Sequence, residues 1–240
     1  MSYFQPTPTD SGERLSFVNE FVILAFSGLF STGETAYLEE KIDEIQPDLV
    51  VLCGDNVLPQ TLASDLLLAG TMQIIDRYAE LFENKKTYFC VAFSNYDISG
   101  LYDKSAQLKR FMRSDYFVGG VRSFGNIQVM KDSKKANGNF RISIFRGKDI
   151  AFFIYIADTS EQALTDEQKN WLAAAHKPFV LFSYKQAYGQ EGWVFFSSAE
   201  EQPFGIKRSG IYQKGEVSYD YSAKKIVLTA NGELFQSDIK

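Results

Sequence analysis

The sequence predicts an α/β protein with two β-sheets, and three patterns carry that expectation. Through residue 114, short continuous apolar runs alternate with helical stretches. That is the rhythm of βαβ units whose parallel strands are buried on both faces. Beyond 114 the strand-like runs crowd together. Several runs also stop abruptly at small polar residues, as in VLCGDNV at 51–57 and VAFSNYDIS at 91–99. A buried strand that ends this way delivers side chains to a site at its carboxyl end.

Each element follows from local pattern. Residues 1–15 hold two prolines and many small polar residues, which predicts a flexible N-terminal arm; 16–240 then form one domain. EFVILAFS, 20–27, is a short run of strand formers. In TGETAYLEEKIDEIQ, Tyr37, Leu38, Ile42 and Ile45 share one helical face, and Pro47 ends the helix. DLVVLC, 48–53, is the next strand. Residues 61–83 form a long helix with Leu66, Leu67, Met72, Ile75 and Leu81 toward the core, and TYFCVAFS, 87–94, is a third buried strand. Residues 103–114 are helical. NIQVMK, NFRISIF and IAFFIYIA follow as strands, the first two separated by a turn at Asn137-Gly138. LTDEQKNWLAAA is a helix opened by a capping box from Thr165 to Gln168. KPFVLFS and GWVFFSS are two more strands, and the tail reads as a meander with a second Asn-Gly turn at 231–232.

Composition narrows the functional classes. A chain of 240 residues buries a sizeable core without disulfides or metals. The net charge is −5 and the Lys and Arg residues are scattered, so no basic stripe calls for nucleic acid or an anionic membrane. Cys53 and Cys90 both sit inside apolar runs, where a free thiol acts as a small hydrophobe, rather than in a disulfide framework. The N-terminal stretch has no basic-then-apolar leader pattern, and no apolar run approaches the ~20 residues that span a bilayer. These features imply a cytoplasmic protein. The 21 Phe and 13 Tyr admit two readings: a Phe-rich core, or a core plus an aromatic surface for a partner.

The strand ends carry the candidate chemistry. They deliver Ser27-Gly28-Leu29-Phe30, then Gly54-Asp55-Asn56, then Ser94-Asn95-Tyr96-Asp97, then Ser183-Tyr184-Lys185, and then Ser197-Ser198-Ala199-Glu200-Glu201. In this order the chain resembles the calcineurin-like metallophosphoesterase superfamily. That family is a four-layer α/β/β/α sandwich of two mixed β-sheets with two metal ions at the strand ends. AFSGLFS stands where the family has Asp-x-His, LCGDNV keeps Gly-Asp, and FSNYDIS stands for Gly-Asn-His-Asp. LFSYKQ stands where a strand normally ends in His. IADTSEQALTDEQKNWLAAA is similar to a family stretch in which a strand ending in Asp leads to a helix bearing Gln-x-x-Trp-Leu. The similarity covers about residues 20–235.

The departures matter more than the matches. By resemblance, Gly28 replaces the first metal-binding Asp, Phe30 the first His, Tyr96 the catalytic His and Tyr184 a metal-binding His. Asp55 keeps the bridging carboxylate and Asn95 the amide ligand. SSAEEQP at 197–203, or alternatively SGIYQ at 209–213, stands for the last motif, and neither contains histidine. The sole histidine, His176, matches no motif; beside Lys177-Pro178 it reads as a helix C-terminal cap. Two divalent cations about 3.5–4 Å apart need several anionic or imidazole ligands. One carboxylate and one amide cannot offset their repulsion. The resemblance therefore implies a phosphoesterase fold with no cofactor and no catalytic residue. Phe30, Tyr96 and Tyr184 would fill the vacated space, with a tyrosine hydroxyl donating to Asp55.

Three functions follow. The first is a non-catalytic scaffold or binding subunit with a protein partner, since metal-less members of the superfamily, such as the small subunits of eukaryotic replicative DNA polymerases, serve that role. The second is a phosphoester hydrolase with a rebuilt single-metal site of Asp55, Asn95, Asp97 and Glu201, whose oxygen ligands favour Mg²⁺, Mn²⁺ or Ca²⁺ over zinc. The third is a sensor that binds a small molecule without turnover, which needs a preformed pocket. For several residues a structural reading stands beside these. Asn95 and Asp97 suit a local turn, Trp171 and Leu172 suit the core, and Glu200 and Glu201 suit a solvated loop.

Overall fold

The computed structural model describes residues 3–4, 13–17, 19–27, 34–54, 56–57, 65–95, 97–98, 103–119, 138–175, 177–184, 193–196, 209–213, 216–220, 222–229 and 234–239. In chain order they form β1 (Tyr3–Phe4), β2 (Glu13–Phe17), β3 (Glu20–Ser27), α1 (Glu34–Ile45), β4 (Leu49–Cys53), α2 (Asp65–Lys85) and β5 (Tyr88–Ala92). Then come α3 (Lys104–Phe111), β6 (Phe140–Arg146), β7 (Asp149–Ala157), α4 (Asp166–Ala173), β8 (Phe179–Ser183) and β9 (Trp193–Phe196). The chain closes with β10 (Ser209–Gln213), β11 (Glu216–Asp220), β12 (Ser222–Thr229) and β13 (Leu234–Ile239).

Two mixed sheets organise the chain. One has the order β13-β12-β3-β4-β5, with β3, β4 and β5 parallel and β12 antiparallel to β3. The other has the order β1-β2-β6-β7-β8-β9, with β7, β8 and β9 parallel and β6 antiparallel to β7. Strands β10 and β11 form a separate antiparallel ribbon. Alternation along the strands builds three cores. Phe21, Ile23, Ala25, Val51 and Cys90 of the first sheet face Ile142, Ile144, Ile154, Ile156 and Phe182 of the second, with no solvent exposure at most of these positions. The opposite face of the first sheet buries Leu24, Phe26, Val50, Leu52 and Val91 against Leu38 and Ile42 of α1, Ile75, Tyr78 and Phe82 of α2, and Leu108 and Phe111 of α3. The opposite face of the second sheet buries Phe153, Tyr155 and Leu181 against Trp171 and Leu172 of α4. The architecture is an α/β/β/α sandwich, the fold class expected.

The helix boundaries have local causes. After α1, Gln46 turns left-handed at φ 51°, and its side-chain amide caps the carbonyl of Asp43 at 3.0 Å before Pro47. The Thr165–Gln168 capping box forms at the start of α4, with both reciprocal hydrogen bonds present. Gly147 takes φ 63° in the two-residue turn from β6 to β7, the conformation that primed hairpin turns require. No described helix is long and apolar enough to cross a membrane.

The described parts of the N-terminal segment pair with the second sheet. Tyr3–Phe4 is a strand on β2, and β2 runs parallel to β6, with Arg14 opposite Ser143 and Leu15 opposite Ile144. The edge of β6 offers a ladder of backbone groups, and pairing there outweighs a weak local preference. The expected strand at 126–131 and the turn residues Asn137, Asn231 and Gly232 lie outside the described residues, although β12 and β13 pair as a hairpin across 230–233. Trp171 and both cysteines are buried, as a core reading requires.

Helices α2 and α3 are joined by a bidentate pair from the Arg110 guanidinium to both carboxylate oxygens of Asp76. The hydrogen bond from Arg110 holds the Asp76 carboxyl below its ordinary value of 3.8. Its stabilisation is therefore complete above that value and is lost as pH falls through the lower folded-state value. The Asp76 side chain is 45% exposed, so water and salt screen the pair. Asp76→Asn is expected to cost at most about 1 kcal/mol at neutral pH. The difference from the native chain, read by urea unfolding, should persist down to about pH 4 and close below it.

Candidate functional site

The carboxyl ends of β4, β5, β7 and β8 lie on one rim of the sandwich, because β4 pairs parallel with β5, β7 pairs parallel with β8, and the ends of β4 and β8 meet. The thiol of Cys53 donates to the carbonyl of Ser183 at 3.5 Å, joining the end of β4 to the end of β8. Next in the chain, Gly54 has φ 79° and donates its N–H to Ala92 at 2.9 Å. A methyl group added there would lie 2.9 Å from Cδ2 of Tyr184 and 3.3 Å from Cβ of Ser94. The Tyr184 ring thus rests directly on the Gly54 backbone, in space that any side chain would fill.

Asp97 is the chemical centre of the rim. It is 3% exposed, and its carboxylate turns into the protein. Oδ1 accepts the backbone N–H groups of Asn56 at 2.6 Å and Val57 at 2.9 Å. Oδ2 accepts the N–H of Ser94 at 2.8 Å and the side-chain amide of Asn56 at 3.1 Å. The N–H of Asp97 itself donates to Ser94 Oγ at 3.2 Å. Behind this knot, the Gln107 amide of α3 donates to the Asp97 carbonyl, and the Tyr78 hydroxyl of α2 donates to the Asn56 carbonyl at 3.2 Å. Asn56 Oδ1 is a buried acceptor that no donor among the described residues reaches.

A second polar cluster closes the end of β7. Asp158 accepts from Lys104 of α3 and, through its other oxygen, from the Ser160 hydroxyl at 2.6 Å. Asn139, at the start of β6, accepts from the Asp158 N–H at 2.8 Å and from Gln168 at 2.7 Å. Gly138, at φ 94°, lets the backbone approach the Asp158 side chain. Both clusters hold their carboxylates by hydrogen bonds within the protein, and both use α3 as a strut.

The expected site residues separate into three groups. Asp97 and Tyr184 belong to the rim, with Tyr184 half-buried. Asn95 sits in the turn between β5 and Asp97, and its side chain is exposed. Gly28, Phe30, Asp55, Tyr96, Glu200, Glu201 and His176 lie outside the described residues, as does the 197–203 stretch. The alternative for the last motif, Ser209–Gln213, is strand β10 of the separate ribbon. Asp97 does not suit the role of a single-metal ligand, because four N–H groups already occupy its lone pairs. Asn56 and Ser94 stand in the strand-end series of the sequence without a role of their own, and Tyr78 and Gln107 lie outside that series. Their only signal is a polar residue in a buried setting, and Gln107 shows it by standing beside Leu108 on the buried face of α3.

The geometry defines an α/β/β/α sandwich of two mixed sheets with a polar rim at the strand ends. No protein-family model and no curated protein sequence matches this chain. Among solved structures, a dimetal phosphatase from Danio rerio matches over 92% of this chain and 99% of its own, at 7% identity and a TM-score of 0.50. Another solved chain matches over 92% of this chain and 100% of its own, at 11% identity and a TM-score of 0.47. The likeness is one of fold.

A metal pair, which the name dimetal phosphatase gives to the Danio rerio protein, would need donors that the described residues of this chain do not gather. Asp97 is saturated by N–H donors, and Asp158 is held by Lys104 and Ser160. Among the described residues, no three His, Cys, Asp or Glu side chains converge. Asn56 Oδ1 is neutral and single, which is too little for a divalent ion.

Replacing Asp97 by Asn would keep its size but turn one acceptor into a donor facing N–H groups. A loss of about 2–4 kcal/mol in unfolding free energy is expected, measured by chemical denaturation. Ser94→Ala, which removes one hydroxyl acceptor from the same knot, should cost about 1 kcal/mol.

Proposed function

We propose that the protein is a catalytically inactive relative of the metallophosphoesterases that acts by binding another protein, as a scaffold or binding subunit. The observation that supports this reading over a rebuilt single-metal site is the inward commitment of Asp97, a carboxylate of that rebuilt site whose oxygens serve N–H groups instead. The resemblance adds Gly28, Phe30, Tyr96 and Tyr184 at positions where the family carries ligands or its catalytic histidine. Hydrolysis in that family depends on metal-activated water, which needs those ligands. Loss of even an outer partner of a metal ligand costs roughly 10–100-fold in affinity or activity. The acidic balance and scattered basic residues favour a protein partner over nucleic acid or a membrane surface. Two buried free thiols suit the cytoplasm.

The test has two arms. Purified protein should carry no stoichiometric metal by elemental analysis, give no heat with millimolar Mn²⁺, and leave a panel of phosphomonoesters and phosphodiesters at the blank rate. A partner captured by cross-linking should then form a complex of fixed stoichiometry when both components are purified and mixed. Turnover that disappears in Asp55→Asn would replace this reading with a rebuilt single-metal hydrolase.

A further inference from the structure

The same rim raises a mechanical question: what holds the ends of two sheets together there? Strand ends are the weakest part of a face-to-face sandwich, because the ladders stop and the loops diverge. In this chain, protein groups cover the gap. Asp97 gathers the N–H groups of Ser94, Asn56 and Val57 into one unit, so the loops leaving β4 and β5 move together. Tyr184, leaving β8 in the other sheet, lies on that unit at Gly54. The Cys53 thiol and the Ser183 carbonyl meet one residue back along each strand.

We propose that this junction is a metal-free fastening between the two sheets, in which the Tyr184 ring seated on Gly54 locks β8 to the Asp97-bound ends of β4 and β5. The glycine is essential to the seat, because a Cβ would stand 2.9 Å from the ring carbon. The ring supplies area and rigidity, and the carboxylate knot supplies an unyielding base. No ligand is needed to complete the joint. The inference shares with the proposed function the view that this rim does not hold a metal pair. It concerns cohesion rather than partner binding, so it can fail or survive separately.

A double-mutant cycle read by thermal unfolding of the full chain tests the seat. Gly54→Ala carries left-handed backbone strain, a 3.3 Å approach to Ser94 Cβ and the clash with Tyr184, whereas in a Tyr184→Ala background only the strain and the Ser94 approach remain. The Tm loss from Gly54→Ala should be roughly 5 °C or more in the native background and clearly smaller beside Tyr184→Ala. Equal losses in both backgrounds would overturn the seat. The native chain supplies an arm that needs no variant. Its Tm should agree to within about 1 °C in excess EDTA and in millimolar Mn²⁺, because an ion held only by the folded state would raise it. A Mn²⁺-dependent rise would overturn the metal-free fastening. Phosphoester turnover without such a rise would sink the inactive-enzyme reading and leave the fastening standing.

Discussion

The buried carboxylate of Asp97 is the constraint on which the carboxyl-end rim depends. A charge with almost no solvent contact is costly unless its lone pairs are filled, and four N–H donors fill them here. The dependence is mutual. Without the carboxylate, the N–H groups of Asn56, Val57 and Ser94 would be buried donors with no acceptor, each with its own desolvation cost. Two loops that the chain separates by about forty residues are thereby fixed as one body. Tyr78 of α2 and Gln107 of α3 then bind carbonyls of that body, so the helical layer is aligned with the rim and not only with the apolar face beneath it.

The rest of the sandwich is held by a less specific force. Alternation sends Val51, Cys53 and Cys90 between the sheets while Val50, Leu52 and Val91 face the helices, so β4 and β5 are buried on both sides. The abundant phenylalanines enter this packing. Phe82, Phe89, Phe111 and Phe117 form a connected aromatic group beneath α2 and α3, with ring centroids 4.1–5.9 Å apart. Such groups reward dense, shape-specific packing. Apolar burial decides that the layers stack; hydrogen-bonded polar knots at the rim decide how they are aligned at one end.

Much of the fold was legible because its causes are local. The runs at 20–27, 48–53, 87–94 and 150–157 are apolar strand formers bounded by polar or turn residues, and each contains or lies within a strand of the fold to within a residue or two at its ends. The capping box at Thr165 was readable because its two hydrogen bonds span three residues. Strand β2 was missed because ERLSF has little apolar content and its partner β6 lies more than a hundred residues away. At the candidate site, the order of strand ends places Asp97 after β5 and suits it equally to a local turn or to a ligand, and only the folded chain turns its carboxylate toward N–H groups. The residue type is the same whether a carboxylate faces outward to a ligand or inward to amides, and side-chain direction is not encoded in the spacing.

The sequence by itself determined the layers: two sheets, helices on the strands' outer faces, and a rim where small polar residues follow buried strands. Period and punctuation suffice for that, since burial on one or both faces is written in the alternation of apolar residues. Only the tertiary structure decided the partners across the rim. That Tyr184 rests on Gly54, that Asp97 serves Asn56 and Val57, and that Lys104 meets Asp158 depends on distances between elements remote in the chain. The reason is physical: a side chain's hydrogen bonds and contacts are set by which backbone groups packing brings within about 3–4 Å, and packing is a property of the whole chain.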